Sequence, residues 1–143
     1  MVKLAPSPFD PWRELVAYQR ERLTPGAFGA TSVFVGTMRD FNQGDPIEAM
    51  FLEHYPGMTE RELERMAEEA RKRWEVLGLL LIHRVGDILP GEPIVLIATW
   101  AAHRQEAFGA CRFLIEALKS SAPFWKRETL KGGVRRWVRA RPT

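Results

Sequence analysis

Leu118-Lys-Ser-Ser-Ala-Pro-Phe-Trp-Lys-Arg-Glu128 packs a helix end, a corner and the start of a new segment into eleven residues. Leu118 closes an apolar stripe made by Ala107, Phe108, Cys111, Leu114 and Ile115, whose spacing predicts one buried helical face. Pro123 lacks an N–H and its ring clashes with the turn before it, so the helix cannot run on. Lys119 therefore falls where the helix stops, and Lys126 and Arg127 follow two aromatics past the corner. Cations on both sides of a rigid, aromatic-lined corner read as an anion-handling site.

Upstream of that helix, residues 77–88 and 93–101 read as strands joined by Leu89-Pro90-Gly91-Glu92. Proline followed by glycine is the signature of a type II turn, because glycine readily takes the positive φ needed at the third position. A second long helix is predicted from Thr59 to Trp74. Leu63, Met66, Ala67, Ala70 and Trp74 share one face, while Glu68–Lys72 and Glu69–Arg73 pair on the other. Thr59 with Glu62 fits a capping box at its start. Residues 28–37, with Thr31, Val33, Phe34 and Val35, read as a largely buried strand. The polar residues 38–46 read as a loop, and a further strand spans about 47–53. Residues 1–11 are proline-rich and extended, and 12–23 form a short helix ending before Thr24-Pro25-Gly26. A hairpin around Gly132-Gly133 is expected within 124–138. With no repeat or linker, the chain reads as one α+β domain over residues 1–143, with 1–25 and 139–143 at its periphery.

At 143 residues and 45% hydrophobic content, one well-formed core is possible and two are not. The single cysteine excludes an intramolecular disulfide, and no apolar run approaches a membrane span. A cytoplasmic location, with no membrane partner, is the default expectation. The net charge of +3 is unevenly spread: residues 126–143 carry +6 and the rest −3. That asymmetry implies an anionic ligand or partner near the C-terminal end.

His103 and Arg104 sit between a strand and the start of the following helix, where free N–H groups and the helix dipole favour a phosphate or carboxylate. The plainer alternative is that both decorate a surface turn. Lys119 and Lys126 are more telling as a pair, since a lysine crowded by cations loses its proton more easily and can act as base, acid or nucleophile. The competing role for Lys119 is to complement the dipole at a helix C-terminus. Arg39 ends a strand and enters the glycine-containing loop, a usual place for ligand-binding groups. Cys111 lies on the apolar face and reads as packing. His54 and His83 have no partner at ligand spacing, so no metal and no cofactor is expected. Phe124, Trp125 and Trp137, interleaved with arginines, leave open a basic polyanion- or RNA-binding module, although no nucleic-acid motif is present.

Five blocks, in order, resemble the large, catalytic subunit of molybdopterin synthase, the MoaE family. They are Val35-Gly-Thr-Met-Arg-Asp-Phe-Asn-Gln-Gly-Asp45, Leu52-Glu-His-Tyr-Pro-Gly-Met58, Ile82-His-Arg-Val-Gly-Asp-Ile-Leu-Pro-Gly-Glu92, Ala102-His-Arg104 and Leu118–Glu128. The resemblance implies an α/β hammerhead fold in a homodimer. Each subunit would bind one small ubiquitin-like sulfur-carrier subunit, giving a heterotetramer. The carrier's C-terminal Gly-Gly thiocarboxylate would deliver two sulfurs in turn to cyclic pyranopterin monophosphate, forming the dithiolene of molybdopterin. On this resemblance Lys119 is the leading catalytic residue and Lys126 its neighbour. Arg39, His103 and Arg104 would hold the phosphate, with His103 and Arg104 reaching across the dimer. Thr37, Met38, Arg127 and Glu128 fall in substrate-contacting stretches. Thr37 stands where some family members have lysine, so its backbone is the more natural contact.

Overall fold

The computed structural model describes residues 1–121 and 123–139. In chain order the elements are β1 (Val2–Ala5), α1 (Pro11–Arg22), β2 (Ala30–Thr37), β3 (Phe41–Asn42), β4 (Asp45–His54) and α2 (Met58–Arg73). There follow β5 (Gly78–Arg84), β6 (Gly86–Ile88), β7 (Pro93–Ala101), α3 (Arg104–Ser121), β8 (Phe124–Leu130) and β9 (Arg135–Arg139). One sheet has the order β1-β5-β7-β2, parallel only between β1 and β5. The other runs β3-β4-β8-β9 and is antiparallel, with β6 added to β4 on the edge opposite β8.

Alternation along β5 and β7 splits the core in two. Leu79, Leu81, Val95 and Ile97 face α2 and α3 and join Met50, Leu52, Ile88 and Phe124 of the second sheet. Leu80, Ile82, Leu96 and Trp100 face the other way, onto Tyr18 of α1. Tyr18 stacks on Trp100 with ring centroids 4.9 Å apart, and its hydroxyl accepts from Leu79 N–H at 3.0 Å. Residues 1–25, expected at the periphery, thus supply a strand of the first sheet and a helix covering one of its faces. Residues 140–143 of the expected C-terminal periphery lie outside the described residues.

The α+β class is as expected, with α1 as a third, short helix beside the two long ones. Several local expectations change. The 28–37 strand is an edge strand whose Val33 is exposed, because β2 has a neighbour only on its β7 side among the described residues. The 38–46 loop contains a tight hairpin turning at Gln43 and Gly44, both at positive φ. The 77–88 strand breaks before Gly86, where the chain leaves the first sheet and β6 joins the second. Phe108 points to solvent at 63% exposure rather than into the core. Glu68 pairs with Arg71 at 2.7 Å, not with Lys72, while Glu69–Arg73 forms at 3.0 Å.

The start of α2 differs most. Glu60 Oε1 accepts from Gly57 N–H at 2.9 Å, so the carboxylate half of a capping box sits two residues earlier than expected. Glu62 binds Arg65 instead. Thr59 is fully buried, accepts from Tyr55 N–H at 2.9 Å and donates to the Pro123 carbonyl at 3.3 Å. The turn at Leu89–Glu92 forms as expected, with Gly91 at φ +88 and Glu92 N–H bonded to the Leu89 carbonyl at 3.1 Å. So does the hairpin joining β8 and β9.

Candidate active site

Lys119 lies, partly buried, in the last turn of α3, which continues to Ser121 before Pro123 ends it. Beyond the corner, β8 alternates. Phe124 and Glu128 are buried toward the core, Lys126 points the same way, and Trp125 and Arg127 take the opposite face.

Lys126 Nζ is 3.9 Å from Glu128 Oε2, and the two side chains are only 16% and 4% exposed. The charged group the structure places beside Lys126 is thus a carboxylate, where the sequence pointed to crowding by cations. Glu128 has further partners: Asn42 Nδ2 donates to Oε2 at 2.7 Å and Arg136 Nε to Oε1 at 3.0 Å. Arg136 also reaches Asp45 Oδ2 at 3.0 Å and the Asn42 carbonyl at 3.3 Å. One buried carboxylate therefore ties the β3–β4 hairpin to β8 and β9. Taking such a charge out of water is tolerable because it is paired and hydrogen-bonded.

Above this network is an open depression of about 70 Å³, lined by Thr37, Met38, Arg39, Lys126 and Glu128 together with Phe41, Asn42, Ile47, Met50 and Ile94. Five of the nine residues expected at the site thus share one cavity. Arg39 is exposed at its rim, whereas Met38 is buried and fixed by its backbone. Met38 N–H donates to the Glu92 carbonyl at 2.9 Å, and Gly91 N–H donates to the Met38 carbonyl at 2.8 Å. Arg84, fully buried, braces that turn through Glu92 Oε1 at 3.5 Å and the Asp87 carbonyl.

Four expected residues stand elsewhere. Lys119 is not in the cavity lining. His103 and Arg104 are exposed at the opposite end of α3, where the His103 carbonyl accepts from Ala107 N–H at 3.3 Å. Fifteen helical steps separate Arg104 from Lys119, about 22 Å at 1.5 Å per residue. Arg127 is on the outer face of the second sheet, its guanidinium 5.1 Å from the Phe51 ring centre and 5.7 Å from that of Trp137. Next to it Glu53, His54, Tyr55, Trp125 and Trp137 line a second depression of about 280 Å³.

Asn42, Phe41, Ile94 and Arg136 were not anticipated. Arg136 was within reach: a hairpin centred on Gly132 pairs residue 128 with residue 136, and the register is Glu128↔Arg136. Asn42 to Glu128 spans 86 residues and has no local signal. Cys111 is buried, and burial raises its thiol pKa, as suits a packing role. Among the described residues no three His, Cys, Asp or Glu side chains gather as metal ligands, and no helix is long and apolar enough to cross a membrane.

The family model described as "MoaE protein" matches residues 6–121. The chain is 47% identical over 140 residues to the molybdopterin synthase catalytic subunit of Pseudomonas aeruginosa, covering 98% of this chain and 91% of that one. Among solved structures it resembles the molybdopterin biosynthesis MoaE protein of Burkholderia ambifaria, with TM-score 0.81, 44% identity, and coverage of 100% and 91%. It also resembles a chain in a complex of subunits 1 and 2 of molybdopterin-converting factor from Helicobacter pylori, with TM-score 0.80, 27% identity, and coverage of 98% and 91%. A family match across most of the chain, near-full-length relatives and a shared fold together place this chain in the MoaE family of molybdopterin synthase catalytic subunits, enzymes of molybdenum cofactor biosynthesis.

Proposed function

We propose that the chain transfers sulfur from the thiocarboxylated C-terminus of a small ubiquitin-like carrier to cyclic pyranopterin monophosphate, building the dithiolene of molybdopterin. The observation that carries this reading is the cavity in which Lys126 and the Thr37–Met38–Arg39 segment converge beside the α3–β8 corner. Both reactants are anionic, and the cavity wall offers the Arg39 guanidinium, the Lys126 ammonium and backbone groups of residues 37–39. Each transfer joins the carrier's sulfur to a carbon of the precursor and breaks a carbon–oxygen bond there, the oxygen leaving as water or on the phosphate. Water then cleaves the acyl–sulfur bond and returns the carrier as a carboxylate.

In this reading Lys119 moves the protons and Lys126, in the cavity wall, holds negative charge as it develops. Arg39 grips the phosphate. Glu128, its oxygens already engaged, orients Lys126. His103 and Arg104 join from the partner protomer of a homodimer, because about 22 Å of rigid helix keeps them from Lys119 of their own chain. The carrier occupies a separate surface of each protomer, giving a heterotetramer.

The test is reconstitution. The chain, a thiocarboxylated carrier and the pterin precursor should yield dithiolene product, and a carrier ending in an ordinary carboxylate should yield none. Product at equal rates from both carriers, or from neither, rejects the assignment. The alternative of polyanion binding draws on Arg127 set among Phe51, Trp125 and Trp137. It requires RNA affinity that falls steeply with salt, as condensed counterions are released.

A further inference from the structure

The corner between α3 and β8 is held from two sides by buried residues that are not in the cavity lining. From one side, Thr59 in the first turn of α2 donates its hydroxyl proton to the Pro123 carbonyl at 3.3 Å. The same oxygen accepts from Tyr55 N–H at 2.9 Å, so its position is fixed before it reaches the corner. From the other side, the His83 ring on β5 stacks on Phe124 with centroids 4.1 Å apart and planes 16° from parallel. His83 is itself oriented, because its Nδ1 lies 2.8 Å from the Arg84 carbonyl. Neutral imidazole has one N–H, and a carbonyl can only accept, so that proton sits on Nδ1.

These two holds act on consecutive residues, Pro123 and Phe124. Lys119 is four residues before the pair, in the last helical turn, and Lys126 is two residues after it, on the strand. Proline fixes φ, but it leaves ψ free and cannot aim the strand by itself. The carbonyl bond fixes the peptide plane leaving Pro123, and the stack fixes the ring one residue later. We propose that Thr59 and His83 are positioning residues for the sulfur-transfer site: together they fix the Pro123–Phe124 corner and thereby set where Lys126 stands relative to Lys119. The proposal rests on the proposed function only in taking both lysines as parts of one site. Thr59 and His83 come from elements 24 residues apart in sequence, so the corner also registers α2 against the first sheet.

The test compares Thr59→Val, Thr59→Ser and Phe124→Leu in the reconstituted reaction, with Lys119→Ala beside them. Valine keeps the shape of threonine and removes the hydroxyl, serine keeps the hydroxyl, and leucine keeps apolar volume without the flat ring. A misplaced catalytic group costs rate more than affinity, so Thr59→Val and Phe124→Leu should each lower kcat by roughly tenfold or more while KM for the precursor stays within about twofold. Thr59→Ser should restore wild-type kcat. A folded Thr59→Val with wild-type kcat overturns the proposal, as does a Thr59→Ser as slow as Thr59→Val. If Thr59→Val does not fold, Phe124→Leu decides alone, and unchanged kcat there overturns it. Lys119→Ala separates the two layers: if that variant stays active, the reading of the site fails, whereas an inactive Lys119→Ala beside a fully active Thr59→Val sinks only the corner.

Discussion

His83 is buried in the first sheet, and burial pushes its pKa down from 6.5 to about 4, only partly opposed by its bond to the Arg84 carbonyl. The native state thus favours neutral imidazole, whereas the unfolded chain takes up a proton near the ordinary value. The stability this provides is complete above pH 6.5 and is lost as pH falls toward 4, because the unfolded state then binds more protons. Each pH unit in that window is worth at most about 1.4 kcal/mol, so at pH 5 the loss is about 2 kcal/mol. His83→Phe removes the titration, keeps a flat ring against Phe124 and forfeits one hydrogen bond, costing about 1 kcal/mol at neutral pH. Urea unfolding of both proteins at several pH values between 7.5 and 4.5 measures the difference directly. Carboxylates titrate in both, so the wild-type-minus-variant difference isolates His83. That difference should favour wild type at pH 7.5, shrink below pH 6.5 and change sign near pH 5.8, roughly where the loss reaches about 1 kcal/mol. A difference that stays constant across the range refutes the buried neutral histidine and the orientation assigned to its ring.

Lys119→Ala should nearly abolish product formation with fold intact, and Lys119→Arg should fail as well, since guanidinium does not give up its proton; activity within a few-fold of wild type contradicts the role given to this lysine. Arg104→Ala should weaken precursor binding roughly tenfold, the value of one charge-assisted hydrogen bond, and calorimetric titration showing unchanged affinity removes Arg104 from the site. Mixing Lys119→Ala with Arg104→Ala protomers should restore part of the activity, because a mixed dimer has one site with both lesions and one with neither. No recovery despite demonstrated subunit exchange means that the site is built within one chain.

Local patterns carried most of the fold. The stripes of α2 and α3 and the turn at Leu89–Glu92 depend on residues within a few positions of one another, so periodicity and turn chemistry were enough. The β2 segment shows where such reasoning stops, because Val33 and Phe34 suit a central strand and an edge equally well and only the sheet order decides between them. Thr59 looked like a helix cap because threonine so often is one; its hydroxyl is instead committed to a carbonyl 64 residues away. In the site, Lys126 and Glu128 fall on one face of β8 by simple alternation, yet the residues pointed to Lys126 beside Lys119, and Glu128 entered only through the family resemblance. That Glu128 turns inward to Asn42 and Arg136 depends on a hairpin packing against a distant strand, which no local pattern encodes.

The Glu128 network changes what the basic C-terminal segment means. Arg136 is committed to two carboxylates and a carbonyl, Lys126 leans on Glu128, and Arg127 is turned to the far side of its sheet. Two of the segment's seven cations, Lys126 and Arg136, therefore act as internal mortar, and Asp45 from outside the segment lowers the local sum from +6 to +5. Added electrolyte screens charges exposed to water far more than a carboxylate left 4% exposed among its donors. Ionic strength accordingly governs how quickly an anionic reactant is drawn in from solution, while the cradle that receives it keeps its shape.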